Sequence, residues 1–168
     1  RPGVAVNLPD ALNYFETAAK GGNLAAKVEL AWLTFRGLSG LLSPNPAKAR
    51  PVLEAANLQG SGQAAHYPGL PRLMEKPANT SNADWAAAHF LDGSSRGHLP
   101  SYYELALLHL ERRRSNPSLS AAARALREAA DQGHRPSAAL YSVLLRDGLG
   151  FAANPDEANR YERIALTP

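Results

Sequence analysis

The sequence predicts an all-α fold, an α–α superhelix (solenoid) of about four helix-pair repeats of 36–38 residues followed by a terminal helix. Three observations predict it. Ala11, Ala49, Ala86, Ala122 and Ala158 stand 38, 37, 36 and 36 residues apart. Gly22, Gly60, Gly97 and Gly133 each follow the first four of those alanines by eleven residues. Around both markers, apolar residues recur with helical spacing rather than strand alternation. A fixed period of this size is the signature of a repeat array. The expected organisation is one domain over 1–168, with repeats at about 7–44, 45–81, 82–115 and 116–153 and a terminal helix at 154–168.

The first helix of each repeat, helix A, contains the alanine at position 0. Small residues recur at +7: Ala18, Ala56, Gly93, Ala129 and Ala165. Position +4 is apolar in four repeats (Phe15, Leu53, Phe90, Leu126) and Glu162 in the last. Position +3 holds Tyr14, Val52, His89, Ala125 and Tyr161. Positions 0, +3, +4 and +7 share one face of a helix, so this is the expected packed face. Small residues at 0 and +7 let a neighbouring helix approach. The glycine at +11 falls where helix A stops and suits a left-handed cap.

Helix B follows the glycine. In the first repeat it covers 24–36, with Ala25, Val28, Ala31, Trp32 and Phe35 expected inward. In the third it runs from Pro100 to about Arg112, with Leu105, Leu108 and His109 near one face, and in the fourth from Pro136 to Asp147. The third and fourth open alike, Gly97-His98-Leu99-Pro100-Ser101 and Gly133-His134-Arg135-Pro136-Ser137. Gly37 and Gly148 end helix B fifteen residues past the first glycine. Helix A is entered through Asn-Pro at Asn45-Pro46, Asn116-Pro117 and Asn154-Pro155, with Asn7 and Asn82 in the related places. Asparagine caps a helix and proline fits its first turn. Asp156 and Glu157 then complement the helix dipole.

The second repeat departs. Pro68, Gly69 and Pro71 fall inside its helix B, and an interior proline costs roughly 3 kcal/mol. A short helix at 61–66, an irregular elbow at 67–71 and a turn at 72–75 are expected instead.

This pattern resembles the Sel1-like repeat family, a cousin of the tetratricopeptide repeat. The strongest segments are Ala18-Ala19-Lys20-Gly21-Gly22-Asn23 and Ala129-Ala130-Asp131-Gln132-Gly133-His134. The resemblance covers nearly the whole chain. It implies helix pairs stacked in a right-handed superhelix and a non-enzymatic adaptor or scaffold. Bacterial members of the family are often secreted or periplasmic and serve envelope machinery. A periplasmic or otherwise extracytoplasmic place, in an envelope-associated assembly, is therefore the implied setting, with the cytoplasm as the alternative, since a chain without cysteine fits both. The tetratricopeptide period of 34 fits less well.

Composition narrows the chemistry. The chain has no cysteine, which excludes disulfides, thiolate metal sites and a cysteine nucleophile. A net charge of +3 is too small to signal nucleic acid without a basic stripe. No apolar run reaches the roughly 18 residues of a membrane helix. The start at Arg1 rather than methionine points to a removed upstream segment, a signal peptide or an artificial boundary.

Five histidines (His66, His89, His98, His109, His134) form no i, i+4 pair, and one repeat step of about 10 Å separates His98 from His134. No metal or cofactor is expected. Glu128 with Asp131, and Asp156 with Glu157, read as solvated or dipole-compensating charges rather than acid–base pairs. Arg112-Arg113-Arg114 reads as a solvated exit from a helix B. Tyr14, Phe15, Trp32 and Phe35 are expected in the core, while Trp85 is expected to be partly exposed. No catalytic constellation emerges, so no enzyme is predicted.

The expected function is binding of a protein or peptide partner, not nucleic acid, along the surface of the A helices. Exposed polar positions between the packing columns are the candidates: Asn13, Thr17, Arg50, Glu54, Arg124 and Arg127, with Trp85 as an aromatic anchor. The alternative is a structural spacer or self-associating subunit of a larger complex, because the terminal helix A has no helix B after it.

Overall fold

The computed structural model describes residues 7–73, 79–112 and 114–167, Arg72 by its backbone alone. Ten α-helices and no strand occur among them. They form two compact bodies, one ending at Tyr67 and one beginning at Pro68. The first holds α1 (Leu8–Lys20), α2 (Leu24–Arg36), α3 (Pro46–Leu58) and α4 (Gly62–His66). The second holds α5 (Gly69–Leu73), α6 (Thr80–Ser95), α7 (Leu99–Leu110), α8 (Leu119–Asp131), α9 (Arg135–Asp147) and α10 (Pro155–Leu166).

The repeated glycines close four identical joints. Gly22, Gly60, Gly97 and Gly133 all have φ between 79° and 93°. Each donates its N–H to the carbonyl three residues back, as Gly133 does to Ala130 at 2.9 Å. The next residue donates its N–H to the +7 carbonyl: Asn23 to Ala18, Ser61 to Ala56, His98 to Gly93 and His134 to Ala129, at 2.9–3.1 Å. This is the Schellman pattern, and it satisfies carbonyls the helix end would otherwise leave unpaired.

That same next residue caps helix B. Asn23 and Ser61 accept from Ala26 N–H and Ala64 N–H at 2.9 and 3.2 Å. His98 and His134 make no such bond; their Nδ1 atoms meet the hydroxyls of Ser101 and Ser137 at 2.9 and 2.7 Å. Both serines are fully buried, so the imidazole supplies the partner that a buried hydroxyl needs.

The columns behave as packing columns with one exception. Ala49, Ala86, Ala122 and Ala158 at position 0 are buried, as are Leu53, Phe90 and Leu126 at +4. Position +3 is buried only late in the chain, at Ala125 and Tyr161. Tyr14 is 75% and Val52 40% exposed, contrary to their expected place on the packed face. Ala25 likewise faces solvent, and Ala26 takes the inward place.

Two helix entries differ from expectation. α6 is capped by Asn79, whose Oδ1 accepts from Asn82 N–H at 2.7 Å, so Asn82 lies inside the helix. α8 is capped by Ser118, not entered through Asn116-Pro117. Asn7, Asn45 and Asn154 cap as expected. Pro51 sits inside α3, where its exposed position leaves the unpaired carbonyl to water.

The broken second repeat is less irregular than expected. Tyr67 and Pro68 form a turn after α4, and α5 begins at Gly69 with Pro71 in its first turn. The turn expected at 72–75 extends beyond the described residues. In the first body an aromatic stack stands where helix B is cut short. The Tyr67 ring lies 4.7 Å from Trp32, and Trp32 lies 5.6 Å from Phe35. The Tyr67 hydroxyl donates to Glu29 at 2.8 Å, and Gln63 donates to the same carboxylate. Burial first, and that carboxylate second, raise the Tyr67 pKa well above the ordinary phenol value.

α7 ends at Leu110, short of the expected Arg112. Arg112 stands fifteen residues past Gly97, the place of Gly37 and Gly148, and has φ 54°. A side chain in that region costs roughly 1–2 kcal/mol. Arg112→Gly is therefore expected to stabilise the protein by about 0.5–1 kcal/mol after the added entropy of the unfolded chain. Urea unfolding with an unchanged m-value checks this; a loss of stability contradicts it.

Candidate partner-binding groove

Each body carries a groove built from the same seven repeat positions. In the first, α1, α2 and α3 enclose about 340 Å³. In the second, α6, α7 and α8 enclose about 550 Å³. Helix A contributes +5 and +8, Glu16 and Ala19 in one groove and Leu91 and Ser94 in the other. Helix B contributes the residues five, eight and twelve past its glycine: Lys27, Leu30 and Thr34, against Tyr102, Leu105 and His109. The next helix A closes the groove with −1 and +3, Lys48 and Val52 against Ala121 and Ala125. A cleft of about 610 Å³ is formed by residues 36–44 alone.

The exposure of Val52 now has a physical reason: +3 is a groove wall. The first groove has an apolar floor of Leu30, Ala31 and Val52 with Glu16, Lys27 and Lys48 at its edges. The second carries the same balance of charge, Arg114 and Arg124 against Glu128, but adds the imidazole of His109 beside its arginines.

His109 is buried, and a backbone N–H meets its Nδ1. In two other repeats the N-cap of the following helix A donates its N–H to the carbonyl twelve past the glycine: Asn45 to Thr34 at 2.7 Å, Asn154 to Leu145 at 2.8 Å. In the third repeat the N-cap Ser118 donates instead to His109 Nδ1 at 3.0 Å. An accepting Nδ1 leaves the proton on Nε2. Burial, then Arg114 and Arg124, push the His109 pKa below the ordinary imidazole value. Arg114 is held by Asp84, Nε to Oδ1 at 3.1 Å, and the Ser115 hydroxyl donates to the other carboxylate oxygen at 2.5 Å. The Ser115 bond first, then Arg114, lower the Asp84 pKa. Arg114 is thus half-buried and engaged rather than part of a solvated basic run; Arg113 lies outside the described residues.

Of the sequence candidates, only Arg124 lines a groove. Asn13 and Thr17 are exposed on α1, and the Thr17 hydroxyl donates to the Asn13 carbonyl at 2.9 Å. Arg50 and Glu54 are exposed on α3. Trp85 is half-buried with its ring 4.1 Å from His89. Arg127 is exposed and pairs with Asp131 at 3.6 Å, the carboxylate that also accepts from Tyr161 at 2.6 Å. Sequence reasoning missed Val52, Leu91 and His109 as groove residues. The signal was available: twelve past the glycine, the column reads Thr34, Arg72, His109 and Leu145, and does not repeat.

His98 and His134 act at turns, and among the described residues no cluster suits a metal ion. Burial first, and His134 second, push the His98 pKa down to about 4. Between that value and the 6.5 of an ordinary imidazole, the unfolded chain binds more protons than the folded one. Stability is thus expected to fall as pH drops from 6.5 towards 4, by about 1–2 kcal/mol from His98 after a discount for its partial exposure. His134 adds a loss of the same sign. His98→Asn, which restores the cap seen at Asn23, is expected to flatten that slope in urea unfolding across pH; an unchanged slope contradicts the assignment.

Comparison by sequence finds no match, either among family models or among curated proteins. Comparison of structures gives the Sel1-like repeat (SLR) fold. The chain is similar to a Sel1 repeat protein from Oxalobacter formigenes, with TM-score 0.70 and 21% identity over 93% of this chain and 45% of that one. It is also similar to a protective antigen of uropathogenic Escherichia coli strains displaying an SLR fold, with TM-score 0.68 and 21% identity over 94% of this chain and 33% of that one. The chain therefore spans less than half the length of either protein.

Proposed function

We propose that this Sel1-like repeat fold is a non-enzymatic scaffold that binds an extended or helical segment of a protein partner in its grooves. The carrying observation is that seven repeat positions build an open groove in each body while the residues differ at all of them but the shared leucine, Leu30 and Leu105. Packing alone would favour similar residues in those columns, as it does at position 0. Grooves between helices are a recurrent mode of peptide recognition, with apolar anchors supplying affinity and charges supplying register. We further propose, from what the resemblance implies, that the scaffold works in a bacterial envelope assembly, outside the cytoplasm. Fractionation that finds the protein in the cytoplasm would remove that part of the proposal.

Val52→Asp and Leu91→Asp test the groove. Both residues are substantially exposed, 40% and 50%, so folding is expected to survive. Each variant is expected to lower recovery of the partner at least about tenfold, the effect of losing about 1.4 kcal/mol. Leu58→Asp, at a residue 90% exposed and outside both grooves, is the control and is expected to change nothing. Charge reversal at Arg50 and Arg127, beside rather than in the grooves, is expected to have a smaller effect. Loss of the partner at Leu58 with retention at Val52 and Leu91 would overturn the reading.

A further inference from the structure

In the groove of the second body one imidazole, that of His109, meets an N–H group at each of its ring nitrogens. His109 Nδ1 accepts the Ser118 N–H at 3.0 Å, so Nε2 carries the proton. That Nε2 faces Arg114 Nη1 at 3.1 Å. An arginine has five N–H donors and no acceptor, so this approach sets donor against donor. The opposite tautomer moves the conflict to Ser118 and does not remove it, since a neutral imidazole has one lone pair for two N–H groups. Asp84 occupies the Nε edge of Arg114 and leaves the conflict in place. Arg124, lining the same groove from α8, makes no ion pair among the described residues. Both arginines bias the groove towards a negative partner, and Leu91, Leu105 and Ala125 supply an apolar wall that strengthens such contacts.

Resting on the reading of the groove as a partner site, we infer that it seats a carboxylate, the side chain of an aspartate or glutamate on the bound protein segment. One carboxylate oxygen accepts from His109 Nε2–H and Arg114 Nη1–H together, and the other accepts from Arg124. Glu128, one turn beyond Arg124 on α8, repels a second carboxylate and confines the seat to the His109 end. The first groove lacks the device. Its equivalent of His109 is Thr34, whose hydroxyl is spent on the Leu30 carbonyl at 2.7 Å. The seat is therefore a property of these residues and not of the repeat.

The test uses the whole chain and a defined probe, N-acetyl-glutamate N-methylamide, followed through the ring nitrogens of His109 by NMR. A saturable shift of Nε2 with a Kd on the order of 1–10 mM is expected, as suits a single side chain. The neutral glutamine analogue is expected to give none. Arg124→Gln, at an exposed residue, is expected to weaken the probe at least about fivefold, while Arg127→Gln leaves it unchanged. No saturable shift by about 50 mM probe, an equal shift with the glutamine analogue, or tighter binding of inorganic phosphate would each overturn the inference. The partner assay separates the two levels. Recovery lost with Leu91→Asp but kept with Arg124→Gln leaves the groove and removes the carboxylate seat.

Discussion

Phe90→Ala is expected to destabilise the protein by about 3–5 kcal/mol. Phe90 is fully buried at +4 of α6 and packs among Ala83, Ala86, Ala87, Leu105 and Leu108. Three of those five neighbours are alanines, too short to move into the space the ring would leave. The ring also holds the second short helix of the broken repeat. A Cβ added to Gly69 would lie 2.7 Å from Phe90 Cε1 and 3.2 Å from the Ala86 carbonyl oxygen, so α5 rests directly on α6 at this point. A helix of five residues has almost no stability of its own. Removing the ring is therefore expected to release α5 as well as to open a cavity. Urea unfolding measures the first effect, and amide exchange at Leu70 and Leu73 the second. A loss below about 1 kcal/mol would mean that the site collapses and that α5 is held by something else.

Gly150→Ala is expected to cost about 2–5 kcal/mol, from two sources of roughly 1–2 and 1–3 kcal/mol. Gly150 has φ 90°, which a side chain tolerates poorly. Its added Cβ would also meet the Leu119 carbonyl carbon at 2.9 Å and the Leu119 oxygen at 3.1 Å. These are backbone atoms at the first residue of α8, and no rotamer change moves them aside. Gly133→Ala serves as the internal control, with φ 85° but nothing within 4 Å of its added Cβ. That variant is expected to lose only the backbone share, about 1 kcal/mol. Equal losses at the two positions would show that the approach to Leu119 is unimportant.

The packing plan was legible because it depends on size and spacing alone. Ala86 and Ala122 had to be small, and Gly97 and Gly133 had to accept a left-handed backbone, so each left a periodic mark. The helix entries were harder to read because asparagine is only one of several caps. Asn116-Pro117 looks like Asn45-Pro46, yet the bond from Ser118 to His109 starts α8 two residues later. Arg112 hid a helix end because arginine carries no sign of the conformation it holds. The groove was the least legible feature. Its walls come from three helices, and Val52 at +3 looks like a core residue when Tyr161 in the same column is one. A polar residue such as Arg50, chosen because it avoids the packing columns, lies on the surface beside the groove rather than in it. His109 was visible as an inward-facing residue of α7, but its second nitrogen gains meaning only once Arg114 is placed against it.

The central claim is that the repeated groove, and not the remaining surface, receives a protein partner. Photo-crosslinking tests it most directly, with benzoylphenylalanine placed singly at Val52, Leu91 and Leu58 in the native cell. The account predicts crosslinks to one and the same protein from Val52 or Leu91 and none from Leu58. Crosslinks from Leu58 with neither groove position labelled would contradict it.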